Sequence, residues 1–150
     1  MIQIRPFGAA DLDQILAITA ASPEAASWSR PAYESLLQDP RHGCCSVAES
    51  NGTVVGFVCF RVAGDEAELL NLAVLPSCRR QGIGSRLLEQ MFREAATRGA
   101  ARIFLEVRET NQSAIGLYQR YGFAVSMRRR GYYSDPPADA LVLVRNLTKR

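Results

Sequence analysis

Apolar positions change their period along the chain, and each change marks an element. Ile2, Ile4 and Phe7 alternate with polar residues, which predicts a short first strand. From Leu12 the spacing becomes helical, with Leu12, Ile15, Leu16 and Ala17 on one face and Asp11 placed to cap it. A second short helix follows Trp28, with Ser29 as cap, Pro31 in the first turn and Tyr33, Leu36 and Leu37 as its apolar face. Residues 44–49 and 53–60 flank Asn51-Gly52, whose readiness for positive φ predicts a tight hairpin. Gly64-Asp65 then turns the chain into a strand over 66–75, where Leu69, Leu70, Leu72, Ala73, Val74 and Leu75 are broken only by Asn71.

After Pro76-Ser77-Cys78 comes Arg79-Arg80-Gln81-Gly82-Ile83-Gly84-Ser85, followed by Leu87, Leu88, Met91, Phe92 and Ala95 at helical spacing until Gly99. A strand therefore feeds a glycine-bearing loop that opens a helix. The first N–H groups of a helix lack internal partners, its dipole is positive there, and glycines let a ligand approach the main chain. With Arg79, Arg80 and Arg86 adding charge, a phosphorylated ligand is the natural occupant. The loop is neither common phosphate fingerprint: no Gly-Lys-Ser/Thr follows, and Leu87 stands where a third glycine would be needed.

Ile103, Leu105 and Val107 alternate with Arg102, Phe104 and Glu106 in the next strand, which a helical crossover makes parallel to the strand before the loop. Such a pair leaves a ligand crevice at its carboxyl ends. Asn111 caps a short helix that carries Ala114 and Tyr118 on one face and stops at Gly122. Residues 123–131 and 140–147 form a closing hairpin, with Ser134-Asp135-Pro136-Pro137 in its connection.

Arg79-Arg80-Gln81-Gly82-Ile83-Gly84 resembles the Arg/Gln-x-x-Gly-x-Gly/Ala signature of the GNAT acyl-CoA-dependent N-acetyltransferases. The resemblance extends to Leu70-Asn71-Leu72-Ala73-Val74 before it, and to Leu105-Glu106-Val107-Arg108, Asn111 to Tyr118 and Tyr121-Gly122-Phe123 after it. It implies a single α+β domain over 1–150 with a mixed, mostly antiparallel seven-stranded sheet flanked by helices. The parallel fourth and fifth strands would splay, and the fourth would carry a bulge.

The resemblance also implies acetyl-CoA as co-substrate, no metal, and direct attack by an amine. The main chain around Leu72, Ala73 and Val74 would pair with the pantetheine arm, and Arg79, Arg80, Gln81, Gly82, Ile83, Gly84 and Ser85 would cradle the pyrophosphate. Asn111 would bind the arm as well as cap its helix. Glu106, on the strand face opposite Ile103, Leu105 and Val107, is the candidate general base; the alternative is an ion pair with Arg108 or another arginine, and Glu68 is the reserve base. Tyr118 is the candidate general acid for the departing thiolate, or packs against the sulfur.

Trp28-Ser29, Arg130-Gly131-Tyr132-Tyr133 and Asp139-Ala140 are similar to the Rim-type branch, which acetylates the N-terminal alanine of a ribosomal protein; Ser27 and Ser134 replace prolines usual there. That implies a protein or peptide N-terminus as partner. Trp28, Tyr132 and Tyr133 would wall the peptide groove, flat apolar surfaces with polar handles being suited to an extended peptide. A small-molecule amine, a lysine side chain, or acyl-CoA binding without catalysis are the other readings.

Composition trims the alternatives. The chain has 150 residues, 47% of them hydrophobic and 22% charged, enough for one ordinary core. No signal-peptide core or membrane-length run is present, so a cytoplasmic monomer or weak dimer is expected. Four cysteines without a Cys-x-x-Cys, and a single histidine, argue against a zinc cage or disulfide framework; Cys44 and Cys59 fill strand faces, and Cys78 beside arginines is a candidate reactive thiol. The net charge of +3 suits an anionic ligand. Arg128-Arg129-Arg130 and the tail Arg145, Lys149 and Arg150 lack the aromatic pattern of an RNA reader, and a solvated face is their expected role.

Overall fold

The computed structural model describes residues 1–22, 28–39 and 41–147. Ser27, Lys149 and Arg150 lie outside the described residues. The elements follow the expected order: β1 (Ile2–Pro6), α1 (Leu12–Ala20), α2 (Arg30–Leu37), β2 (Gly43–Ser50), β3 (Thr53–Ala63), β4 (Glu66–Val74), α3 (Ile83–Thr97), β5 (Arg102–Arg108), α4 (Gln112–Arg120), β6 (Ala124–Ser134) and β7 (Pro137–Asn146). Short 3-10 turns precede α1 (Ala9–Asp11) and follow β4 (Pro76–Cys78).

The strands form one sheet in the order β1-β2-β3-β4-β5-β7-β6. Every neighbouring pair is antiparallel except β4 and β5, which the α3 crossover makes parallel. Helices cover both faces. Leu12, Ile15 and Ile18 of α1 and Tyr33 and Leu36 of α2 pack on Val47, Phe57 and Cys59; Ile83, Leu87, Leu88 and Met91 of α3 and Ile115 and Tyr118 of α4 pack on Val58, Ile103, Leu105 and Val107. Burying each large side chain of α3 is worth about 1.5–3 kcal/mol, which fixes the helix and the loop that opens it.

Two relationships place the site. First, β4 and β5 share a ladder only at Glu66↔Arg102, Ala67↔Ile103 and Glu68↔Phe104. Beyond Glu68 the strands part. Second, Phe60 pairs with Leu69 and Cys59 with Asn71, so Leu70 is an extra residue in β4. The bulge reverses the alternation: Leu69 and Leu72 pack with α3, whereas Leu70 and Ala73 pack with α1 and α2.

Several local expectations are corrected. Asp11 does not cap α1 through its side chain; its buried carboxylate accepts from Gly8 N and is gripped by Arg5 Nη1 and Nη2 at 2.9 and 2.8 Å. Ala17 is exposed, and Ile18 takes the inward position expected of it. The closing hairpin is longer than expected: Ser134 and Pro137 are its last pair, and only Asp135 and Pro136 form the turn. Ser29 does cap α2, its Oγ accepting from Ala32 N at 3.3 Å, and Asn111 Oδ1 caps α4 from Ala114 N at 3.2 Å.

Candidate active site

The gap between β4 and β5 is the centre of the site. Leu75 N donates to Val55 O on β3, so by antiparallel alternation the main chain of Leu72 and Val74 faces the other way, into the gap. Asn71, buried at 5% exposure, pins the bulge there: its Nδ2 donates to Tyr33 Oη at 3.1 Å, and its Oδ1 accepts from Leu72 N at 3.0 Å. Tyr33 in turn shares a 3.0 Å hydrogen bond with Thr19 Oγ1, tying the bulge to α1 and α2. The single polar residue in the apolar run was the signal for this pin.

The 3-10 turn delivers the chain to the start of α3. Arg80 and Gly82 both adopt left-handed backbone, with φ of 65° and 81°, the kind of local geometry that builds an anion-binding nest of main-chain N–H groups. The first helical hydrogen bond runs from Arg86 N to Gly82 O. The N–H groups of Ile83, Gly84 and Ser85 therefore have no acceptor among the described residues. A Cβ at Gly82 would meet nothing within 4 Å, so the space beside this residue is open. These features fit the pyrophosphate of an acyl-CoA.

The arginines beside this loop are used unevenly. Arg79 folds back, donating from Nε to Val74 O at 3.1 Å and from Nη2 to Ser22 Oγ at 3.2 Å. Arg86 reaches β1 instead, donating to Ile2 O at 3.1 Å. Gln81 and Arg80 are exposed on the loop. Cys78 is half-buried, with its Sγ 3.8 Å from Ser77 Oγ.

Glu106 lies past the last β4–β5 pair, on the face opposite Ile103, Leu105 and Val107. Its Oε1 accepts from Tyr132 Oη at 2.8 Å, and its Oε2 is 2.7 Å from Arg129 Nε. An arginine ion pair thus exists, but with Arg129 rather than Arg108. Arg108 donates to Pro136 O and stacks over the Tyr133 ring, 4.2 Å from its centroid. Glu68, the other sequence candidate, projects from β4 on the same face, and burial, then the charge of Glu106, raise its carboxyl above the ordinary value against a lowering by Arg61.

Tyr132 reaches Glu106 because β6 bulges. Arg129 pairs with Ala140 and Tyr133 with Ala138, leaving Arg130, Gly131 and Tyr132 opposite Asp139 alone. Asp139 clasps this bulge: Oδ1 accepts from Gly131 N at 2.8 Å and Oδ2 from Arg128 Nη1 at 3.0 Å. Sequence reasoning named Asp139 only within the branch resemblance and Arg129 only within a basic run, and missed the role of each because their partners lie on other strands. Tyr132 is 51% exposed and meets Tyr133 edge-on at 5.1 Å, forming a wet aromatic rim. Trp28 is half-buried, 5.3 Å from the Tyr33 ring, on the same side of the sheet.

Tyr118, on the buried side of α4, lies on the other face in the core shared with α3, with an edge-on contact to Phe123 at 5.6 Å. Its hydroxyl has no hydrogen-bond partner among the described residues, and burial pushes its pKa well up. The phenol therefore keeps its proton at neutral pH. Glu106 and Tyr118 thus lie on opposite faces of the sheet.

Residues 12–123 match the acetyltransferase (GNAT) family. Over 95 residues, 62% of this chain, the sequence is 43% identical to the [ribosomal protein bS18]-alanine N-acetyltransferase of Escherichia coli (strain K12). That match spans 64% of the relative's length. A Bacillus subtilis (strain 168) relative, provisionally given the same name, is 31% identical over 134 residues, 89% of this chain and 87% of its own. The crystal structure of the Escherichia coli ribosomal-protein-S18-alanine N-acetyltransferase has the same fold: TM-score 0.86 at 34% identity, covering 100% of this chain and 96% of that one.

Proposed function

Since the chain belongs to the GNAT acetyltransferase family, we propose that it transfers an acetyl group from acetyl-CoA to the N-terminal amine of a protein. The names of its relatives direct the acceptor toward the N-terminal alanine of a ribosomal protein. The observation that carries the reading is the position of Glu106 at the parted ends of β4 and β5, at the gap that the Leu72 and Val74 main chain faces and close to the aromatic rim of Tyr132 and Tyr133.

In this reading the N–H groups of Ile83, Gly84 and Ser85 hold the pyrophosphate, helped by the main chain of Arg79 to Gly82. Leu72 and Val74, on either side of Ala73, offer the strand edge, and Asn111 and Tyr118 border the arm from the start and the body of α4. Bound acetyl-CoA supplies an acetyl carbon activated as a thioester. Glu106 takes one proton from the acceptor's ammonium through a water, freeing the nitrogen lone pair. Tyr118 holds its phenolic proton on the opposite face for the leaving sulfur. Tyr132, Tyr133 and Trp28 wall the acceptor's path.

The test is mass gain with acetyl-CoA on a short peptide bearing a free N-terminal alanine, beside an N-terminally blocked peptide containing lysine. Only the free-alanine peptide should be acetylated, and Glu106→Gln should slow it about 100-fold, as loss of a general base does. Modification of the blocked peptide would move the acceptor to a lysine. Modification of neither, with coenzyme A binding intact, would remove the peptide acceptor.

A further inference from the structure

We infer that Glu68 is the residue that holds the acceptor's ammonium group, opposite Glu106 at the root of the gap. The inference rests on the proposed transfer to an amine and names the side chain that captures it. Glu68 is the last β4 residue paired with β5, its partner being Phe104, and Glu106 is two residues further along β5. The two carboxylates are therefore diagonal neighbours on one face of a parallel pair, at the point where the strands part.

Their cation partners are unequal. Glu106 has both oxygens engaged, one by Tyr132 and one by Arg129. Glu66, the preceding residue on the same face of β4, is neutralised by Arg102 at 2.8 Å. Glu68 has Arg61 of β3 at 3.9 Å, the outer limit of an ion pair, although its side chain is only 32% exposed. Among the described residues nearby, Arg108 is committed to Pro136 O and the Tyr133 ring, and Tyr132 to Glu106. A half-enclosed carboxylate beside a second one, with a cation only at long range, is stabilised by an incoming cation. The elevation of its own carboxyl above the ordinary value agrees with that unmet demand.

The division of labour follows. Glu68 binds the ammonium as a cation and presents it to the gap, and Glu106 removes the proton. An amine held by one carboxylate need not pull the other out of its contacts with Tyr132 and Arg129.

The experiment compares two peptides by calorimetry on the coenzyme A-saturated protein: one beginning with alanine, the other with a propanoyl group, which lacks only the amine. The wild-type protein should prefer the amine about tenfold or more, as expected for a charge-assisted contact. Glu68→Gln should abolish that preference and raise the peptide KM by a similar factor, with kcat changed less than about threefold. Glu106→Gln should retain the preference while losing kcat. Retained preference in Glu68→Gln would overturn the assignment, as would a collapse of kcat at unchanged KM, which would make Glu68 the base. If the wild-type protein binds neither peptide yet binds coenzyme A, the acceptor reading itself falls and takes the role of Glu68 with it.

Discussion

Tyr132 donates its phenolic hydrogen to Glu106 Oε1 at 2.8 Å, although β7 lies between their strands. The contact exists because the β6 bulge swings Tyr132 over its neighbour, and Asp139 holds the bulge in that shape. The hydrogen bond to Glu106 also raises the Tyr132 phenol above its ordinary value, so it remains a donor throughout the neutral range.

Tyr132→Phe removes the donor and should lower kcat/KM about tenfold, the scale of a hydrogen bond to a charged group. Asp139→Ala, which releases the clasp on Gly131, should produce a loss of similar size by displacing the same ring. Because the two changes act on one contact, the double variant should be little worse than either single one. Steady-state kinetics on the alanine peptide checks this, and additive losses would separate Asp139 from Tyr132.

Gly82 adopts φ of 81° in open space, so Gly82→Val meets no steric neighbour but forces a β-branched residue into left-handed backbone. The expected cost is about 1–2 kcal/mol in folding stability. Coenzyme A affinity should fall further than stability accounts for, since the new side chain stands at the mouth of the cradle. Thermal denaturation and calorimetry with coenzyme A together test the two effects.

Arg5→Ala leaves the buried Asp11 carboxylate with Gly8 N and without its guanidinium, and also removes the 2.6 Å pair with Glu49. The expected loss is about 1–3 kcal/mol at pH 7. Its pH dependence has a fixed sign. Arg5 holds the Asp11 carboxyl below its ordinary value, so the stabilisation is fully present above the unfolded pKa of about 3.9. It is lost as pH falls through the lower folded value. Denaturation curves of the two proteins should therefore converge under strongly acid conditions.

The elements were readable because their apolar periods were clean. Leu87, Leu88, Met91 and Ala95 announce α3, and alternation along β5 already places Glu106 on the face away from the core. What escaped were decisions made between distant residues. Whether Asp11 caps a helix or grips an arginine depends on how β1 lies beside it. The family resemblance implies a bulge in β4, but its position at Leu70 is hidden because Leu69 and Leu70 are both apolar, so a change of face leaves no trace except Asn71. The run Arg128-Arg129-Arg130 looks like a basic patch in the sequence, yet Arg128 serves Glu109 and Asp139, and Arg129 serves Glu106.

The short seam between β4 and β5 divides the sheet into two plates. One plate comprises β1 to β4 and carries Glu68; the other comprises β5, β7 and β6 and carries Glu106 with its aromatic partner. Neither plate holds both carboxylates. The pair comes into being only when the plates dock along three residue pairs. A change at the other end of that seam, where Ala67 meets Ile103 or Glu66 meets Arg102, would therefore be felt as misalignment of the acid groups before it was felt as unfolding, and turnover becomes a gauge of how the halves are set against each other.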